Sequence, residues 1–220
     1  MATILKGFLD NFRGLLGNAV GAKWRTLNVI KGRPSKSSKP ATEAQLAQQM
    51  KFSLATELVS TFSAQIKVGY QSYSKTTTTP TNAAVKQILS NAIIGIYPDI
   101  KIDYPKVQLS KGSLLGVDDI KTVWNEEDVT LTWRKNDFES PSRNDSDKII
   151  MMFYDPLIKQ FLLHLGARRG ELTTKTTMPY TMRNHPIHAY MFLVSEDGKN
   201  VSNSEYIGEF KFTLPFRSAV

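Results

Sequence analysis

The 220-residue chain has no cysteine. Disulfides, thiolate metal sites and cysteine nucleophiles are thereby excluded, and a chain of this length can hold itself together by its core alone. Histidine is scarce: His164, His185 and His188 are all there are. A zinc site wants three or four converging ligands with orienting partners. His185 and His188 flank Pro186 without an acidic neighbour in sequence and His164 sits in an apolar run, so all three read as structural. No stretch of about 18 apolar residues occurs, so no membrane span is expected. Asp10 and Arg13 interrupt the first apolar run before a signal-peptide core is complete, which points to the cytoplasm or to an assembled particle.

Motifs for chemistry are missing as well. There is no Walker loop, Gly-x-Ser-x-Gly elbow or His-Glu-x-x-His. The acidic groups at Asp118-Asp119, at Glu126-Glu127-Asp128 and between Asn144 and Asp147 lack the glycine and terminal glutamate of a calcium loop. They read as solvated turns. With neither a nucleophile–base pair nor a ligand set, the expectation is a non-enzymatic protein without cofactor.

The net charge of +8 is unevenly placed. Residues 1–75 carry eleven Lys and Arg against three acids, which accounts for all of it; residues 76–220 hold seventeen of each sign. The basic third is densest around 31–39, where Lys31, Arg33, Lys36 and Lys39 follow Arg25. Cations among small polar residues can sit on phosphate without reading sequence. They can equally keep an exposed linker soluble or meet an acidic protein surface.

Along the chain, Ile4, Leu5, Phe8, Leu9, Phe12, Leu15 and Leu16 recur at helical spacing and predict a short amphipathic helix over 4–16. Gly7, Gly14 and Gly17 weaken it. Residues 17–34 read as a hairpin or ribbon around Trp24, and 34–40 as a linker rich in Pro, Ser and Lys. Thr42 and Gln45 form a capping-box pattern ahead of a helix to about residue 66. A linker over 71–81 precedes a helix over 82–94, ended by Gly95.

After residue 103 the period becomes two. Strands are expected at 104–110, 129–134, 148–154, 160–165, 171–178, 187–194 and 204–212, with Asp197-Gly198 turning between the last two. Seven short strands in about 110 residues suggest an antiparallel sandwich. The domains expected are 1–102, a basic ribbon and helical region, and 103–220, the sandwich. The fold class is α+β: an N-terminal ribbon and amphipathic helices, then an antiparallel immunoglobulin-like β-sandwich.

The run DVTLTW (128–133), closing on Trp133, resembles the second strand of a fibronectin type III domain. HAYMFLVSEDGKNVSNSEY (188–206) is similar to its last two strands and their turn, with Tyr190, Phe192 and Val194 as the inward set. Over its whole length the chain resembles a family of roughly 200-residue Bacteroidota proteins. The carriers are the ribbon GNAVGAKWRTLNVIKGRP, the helix start PATEAQLAQQMKF and a close of Ser202, Ser204, Tyr206 and Gly208. That resemblance implies a shared fold and no particular chemistry.

The functional expectation is a structural or adhesive protein that binds itself or another protein through Phe8, Phe12, Leu16 and Trp24, as a surface-assembly or phage-like component. The alternative is non-specific nucleic-acid binding through Arg25, Lys31, Arg33, Lys36 and Lys39. A weaker third reading is carbohydrate binding by exposed aromatics on the sandwich loops.

Overall fold

A computed structural model describes residues 2–4, 12–24, 27–35, 39–75, 77–125, 127–135 and 144–211. The chain divides into two compact units, Met1–Thr42 and Glu43–Val220.

The first unit is a four-stranded antiparallel sheet. Its strands are β1 (Ala2–Ile4), β2 (Gly14–Leu16), β3 (Ala19–Trp24) and β4 (Leu27–Gly32), in the order β1-β4-β3-β2. The ribbon expected over 17–34 is therefore β3 and β4. The helix expected over 4–16 is not formed at its ends, where Ile4 and residues 14–16 lie in strands; residues 5–11, with Phe8, lie outside the described residues. Glycine explains the choice of strand. Leu16 pairs with Ala19 across the two-residue turn Gly17-Asn18, and Gly17 has φ +57°, as the first central position of a type II′ turn requires. Such a turn ends any helix that would run through it.

The second unit opens with helices. α1 (Glu43–Thr61) and α2 (Ser63–Gly69) replace the single helix expected, broken at Phe62. Buried positions begin at Ala55 and continue through Leu58, Val59, Phe62 and Ile66, the i, i+3, i+4 spacing of one apolar face. α3 (Pro80–Asn91) starts two residues before the expected point. Thr79 Oγ1 accepts from the Asn82 backbone N–H at 3.1 Å and Pro80 occupies the first turn, both ordinary helix-start devices. A two-stranded hairpin, β5 (Ile93–Ile94) with β6 (Lys101–Ile102), follows. Gly95 turns this hairpin at φ +91° and does not cap the helix, which ends at Asn91.

Seven strands complete the unit: β7 (Asp118–Trp124), β8 (Asp128–Arg134), β9 (Lys148–Asp155), β10 (Gln160–His164), β11 (Thr173–Thr177), β12 (Pro186–Val194) and β13 (Glu205–Lys211). They form two antiparallel sheets, β11-β8-β7 and β10-β9-β12-β13. In the immunoglobulin constant arrangement the fourth strand lies with the first, second and fifth; here the fourth, β10, pairs instead with the third.

The four-stranded sheet is covered on both faces. Ile149, Met151 and Phe153 of β9 and Ile187, Ala189, Met191 and Leu193 of β12 pack with Val129, Leu131 and Trp133 of β8. Their alternates, Met152, Tyr154, Tyr190, Phe192 and Val194, pack with Leu58, Phe62, Ile66, Ala84 and Ile88 of the helices. The unit thus has three layers: helices, four-stranded sheet, three-stranded sheet. Tyr190, Phe192 and Val194, expected between the two sheets, face the helices. The boundary expected at 102/103 falls inside the larger unit for the same reason, because one core joins the helices to β9 and β12.

One expected strand is absent. Residues 104–110 form a short 3-10 turn (Tyr104–Lys106) and an irregular stretch, and the seventh strand is β7. The alternation of Val107 and Leu109 is real, since both are buried against the helical core. No ladder among the described residues satisfies their backbone: the Val107 N–H donates to the Tyr104 carbonyl at 3.1 Å. The Leu109 N–H donates to Ser204 Oγ at 2.8 Å, and the Ser110 hydroxyl donates to the Ser202 carbonyl at 2.6 Å.

Candidate functional site

Register assigns every side chain of the N-terminal sheet to a face, because cross-strand partners point the same way. Leu15 pairs with Val20, Val20 with Lys31, Ala22 with Val29 and Trp24 with Leu27. One face therefore carries Leu15, Val20, Ala22, Trp24, Leu27, Val29 and Lys31. The other carries Leu16, Ala19, Lys23, Asn28 and Ile30, with glycine at 14, 21 and 32. Val29 is buried, but Leu15, Trp24 and Leu27 are 56%, 46% and 43% exposed, and Leu16 on the opposite face is 60% exposed. For a sheet this small that is much uncovered apolar surface.

The four residues expected to act together are thus not one patch. The Phe12 ring lies against Gly21, in the space where any larger residue would carry its Cβ, on the face of Leu16. Its role is internal: it covers the sheet where glycine leaves room. Trp24 belongs to the other face, beside Leu27. Leu27 is the cross-strand neighbour of Trp24, and Leu15, opposite Val20, stands further along the same face. Only strand register, invisible to helical spacing, shows this.

Of the expected cations, Lys31, Arg33 and Lys39 are exposed, while Arg25 and Lys36 lie outside the described residues. Lys31 shares the face of Trp24 and Lys23 stands on the opposite one. The Arg33 N–H donates to the Asn18 carbonyl at 2.7 Å, tying the end of β4 to the β2–β3 turn.

Each histidine has its own partner. His185 Nδ1 lies 2.6 Å from Asp155 Oδ2. That carboxylate is fully buried, and its other oxygen accepts from the N–H groups of Leu157 (2.8 Å) and Ile158 (3.3 Å). Sequence spacing hides the pair, since 30 residues separate them; the β9–β12 pairing, His188 opposite Tyr154, brings them together. His188 stacks on Tyr104 with centroids 4.0 Å apart and lies 3.0 Å from the Tyr206 hydroxyl. Burial holds its pKa below the usual histidine value, with Glu209 pulling the other way. His164 lies 2.9 Å from Thr174 Oγ1, and burial lowers its pKa too. Among the described residues, no group of three or more His, Asp or Glu could hold a metal ion.

At one end of the sandwich a cleft of about 510 Å³ lies among Leu114, Asn144, Asp147 and the turn carrying Ser195, Glu196 and Asp197. None of its lining residues is aromatic, so it offers no platform on which a sugar ring would stack. Asp147 is already paired with the fully buried Arg169, whose Nε donates to it at 3.1 Å. Arg169 also donates to the carbonyls of Gly116 (2.7 Å) and Leu115 (2.6 Å). Asp197 is held down to about 2 by the Ser195 hydroxyl and the Lys199 N–H.

The C-terminal motif resolves into structural roles. Ser202 Oγ accepts from the Leu193 N–H at 2.8 Å, and Ser204 Oγ accepts from Leu109. Tyr206 meets His188. Gly208, at φ +154°, leaves room for the Phe210 ring, which stacks on Trp124 at 3.9 Å.

No helix among the described residues is long and apolar enough to cross a membrane. Residues 11–208 match the model of a family described as a family of unknown function (DUF6266). No curated protein matches the chain.

Proposed function

The chain belongs to the DUF6266 family, and we propose that it is a non-enzymatic structural protein that assembles with copies of itself or with a partner protein through its N-terminal sheet. The observation behind the proposal is the exposed cross-strand pair of Trp24 and Leu27, with exposed Leu15 further along the same face of a small four-stranded sheet. Burial of such side chains drives association at roughly 25 cal/mol per Å² of apolar area. β2 is an outer strand, and among the described residues no strand pairs with its other side. The second unit supports the same role, since its polar constellations are used internally: Arg169 with Asp147, His185 with Asp155, and Ser202 and Ser204 with backbone. The Gly/Trp ribbon and the Ser202–Gly208 close fit the Bacteroidota proteins they resemble, and a particle or surface assembly suits such a chain.

Nucleic-acid binding is the second reading. It is favoured by Lys31 standing on the same sheet face as the exposed Trp24, further along the strand pair. Three full-length variants separate the readings by sedimentation. Trp24→Ser with Leu27→Ser should abolish self-association. Leu16→Ser, on the other face, should leave it intact. Replacing Lys31, Arg33, Lys36 and Lys39 by Gln should leave most of it intact at moderate salt. If the glutamine variant alone dissociates, and the wild type binds DNA or RNA with a steep salt slope, the nucleic-acid reading replaces the assembly one.

A further inference from the structure

Beside α3 lies a second, smaller pocket of about 180 Å³. Tyr70 and Ala83 in its lining are buried. The rest is polar: Lys86, Gln87 and Ser90 on α3, Tyr73 and Thr78 ahead of that helix, and Lys111. Ala83, Lys86, Gln87 and Ser90 follow one another at three- and four-residue steps, so they occupy one helix face. Lys111 is fixed at its backbone, where its N–H donates to the Gly69 carbonyl at 2.9 Å. The two lysines therefore line the pocket from separate parts of the fold.

The lining contains no carboxylate. Among the described residues neither Lys86 nor Lys111 makes an ion pair. Two other lysines of the same unit do: Lys106 pairs with Asp103 at 2.7 Å and Lys159 with Glu57. On the 3-10 turn that carries Tyr73, the amide nitrogen of Gln71 is buried with no acceptor among the described residues. Tyr70 contributes no acceptor to the pocket by ionising, because burial pushes its pKa up, and its hydroxyl donates to the Gln108 carbonyl at 3.0 Å. The pocket lining thus carries two positive charges and no carboxylate.

We infer that the pocket between α3 and Lys111 binds a phosphoryl group, held by Lys86 and Lys111 with the Gln87 and Ser90 side chains as further donors. Charge-assisted bonds from ammonium to phosphate oxygen are the strong contacts such a site can make, and lysine serves as a point charge toward phosphate. A tetrahedral oxyanion presents its oxygens in several directions and so can meet two ammonium groups and neutral donors that come from different segments. The volume is below the roughly 300–1,000 Å³ of pockets that enclose a drug-sized ligand. The pocket accordingly takes a group and not a whole nucleotide cofactor. That group could come as free phosphate or as the phosphodiester of a nucleic acid, and the experiment distinguishes them.

Thermal unfolding of the full chain is followed in sodium chloride, in sodium phosphate of equal ionic strength, and in chloride with a short oligothymidylate. The double variant Lys86→Gln, Lys111→Gln is run beside the wild type. Phosphate strengthens burial in any protein, so the difference between the two proteins is what counts. The expected result is a midpoint about 2–4 °C higher for the wild type in phosphate, beyond any rise in the variant. The same excess with oligothymidylate identifies a nucleic-acid backbone as a source; its absence leaves free phosphate. Equal shifts in wild type and variant with both ligands overturn the inference. Should the variant fail to fold, phosphorus-31 line broadening of phosphate on adding wild-type protein, reversed by excess sulfate, decides in its place. No broadening overturns the inference.

Discussion

At the scale of single residues, Trp133 and Arg169 show how one side chain fixes another. Trp133 is buried between the sheets, and its indole N–H donates to the Arg169 carbonyl at 2.9 Å. Trp133→Ala should cost ~3–5 kcal/mol in chemical denaturation, the range for deleting a buried large aromatic. Arg169→Met should cost a similar ~3–5 kcal/mol, because it leaves the buried Asp147 carboxylate without its partner. An unchanged denaturation midpoint in either variant would remove that residue from the core. His188 makes a pH prediction. Its folded pKa lies below the ordinary 6.5 through burial, so the unfolded chain holds more protons around and below that pH. Its contribution is full above 6.5 and is lost as pH falls. Glu209, its cross-strand partner, reduces the effect. His188→Phe keeps a ring against Tyr104 and gives up about 1 kcal/mol of hydrogen bonding to Tyr206 at pH 8. Urea midpoints of the two proteins should converge between pH 8 and pH 5; a constant gap would show that His188 does not titrate in this way.

At the scale of elements, sequence signals succeeded where local chemistry decides the outcome. β8 reads from Val129, Leu131 and Trp133 alternating with threonines, and all three are buried on one face. α3 reads from Val85, Ile88 and Ala92, and its true start is written in Thr79-Pro80. Thr79→Ala should cost ~1 kcal/mol through the lost cap, measured by denaturation; no loss would mean the cap contributes nothing. The failures are equally local. β7 was hidden because Asp118-Asp119 reads as a turn. Asp119 is indeed irregular, at φ +49° inside a register shift, and the strand carries on past it through Ile120, Thr122 and Trp124. The first apolar block matched helical spacing over 4–16, yet Gly14 and Gly17 sit in a strand and its turn.

At the scale of the whole molecule, the central sheet is the decisive layer. A fragment of residues 43–220 should unfold cooperatively by itself. A fragment of 103–220, which looks like a complete sandwich in sequence, would expose Met152, Tyr154, Tyr190 and Phe192 where the helices lie. It should aggregate or bind hydrophobic dyes, and a well-folded monomer from 103–220 would contradict the three-layer core. Composition and periodicity alone determined the absence of disulfides, the basic first third, the α+β class and six of the seven sandwich strands, because these depend on residue type and on contacts between near neighbours. They could not determine that HAYMFLV is covered on both faces, since a continuous apolar run looks the same whichever layer covers it. The division of Phe12 from Trp24, the meeting of His185 with Asp155 and the gathering of Lys86 with Lys111 were likewise decided only by tertiary structure. Each depends on strand register or on packing between segments distant in the chain, where a one-residue shift moves a side chain to the opposite face.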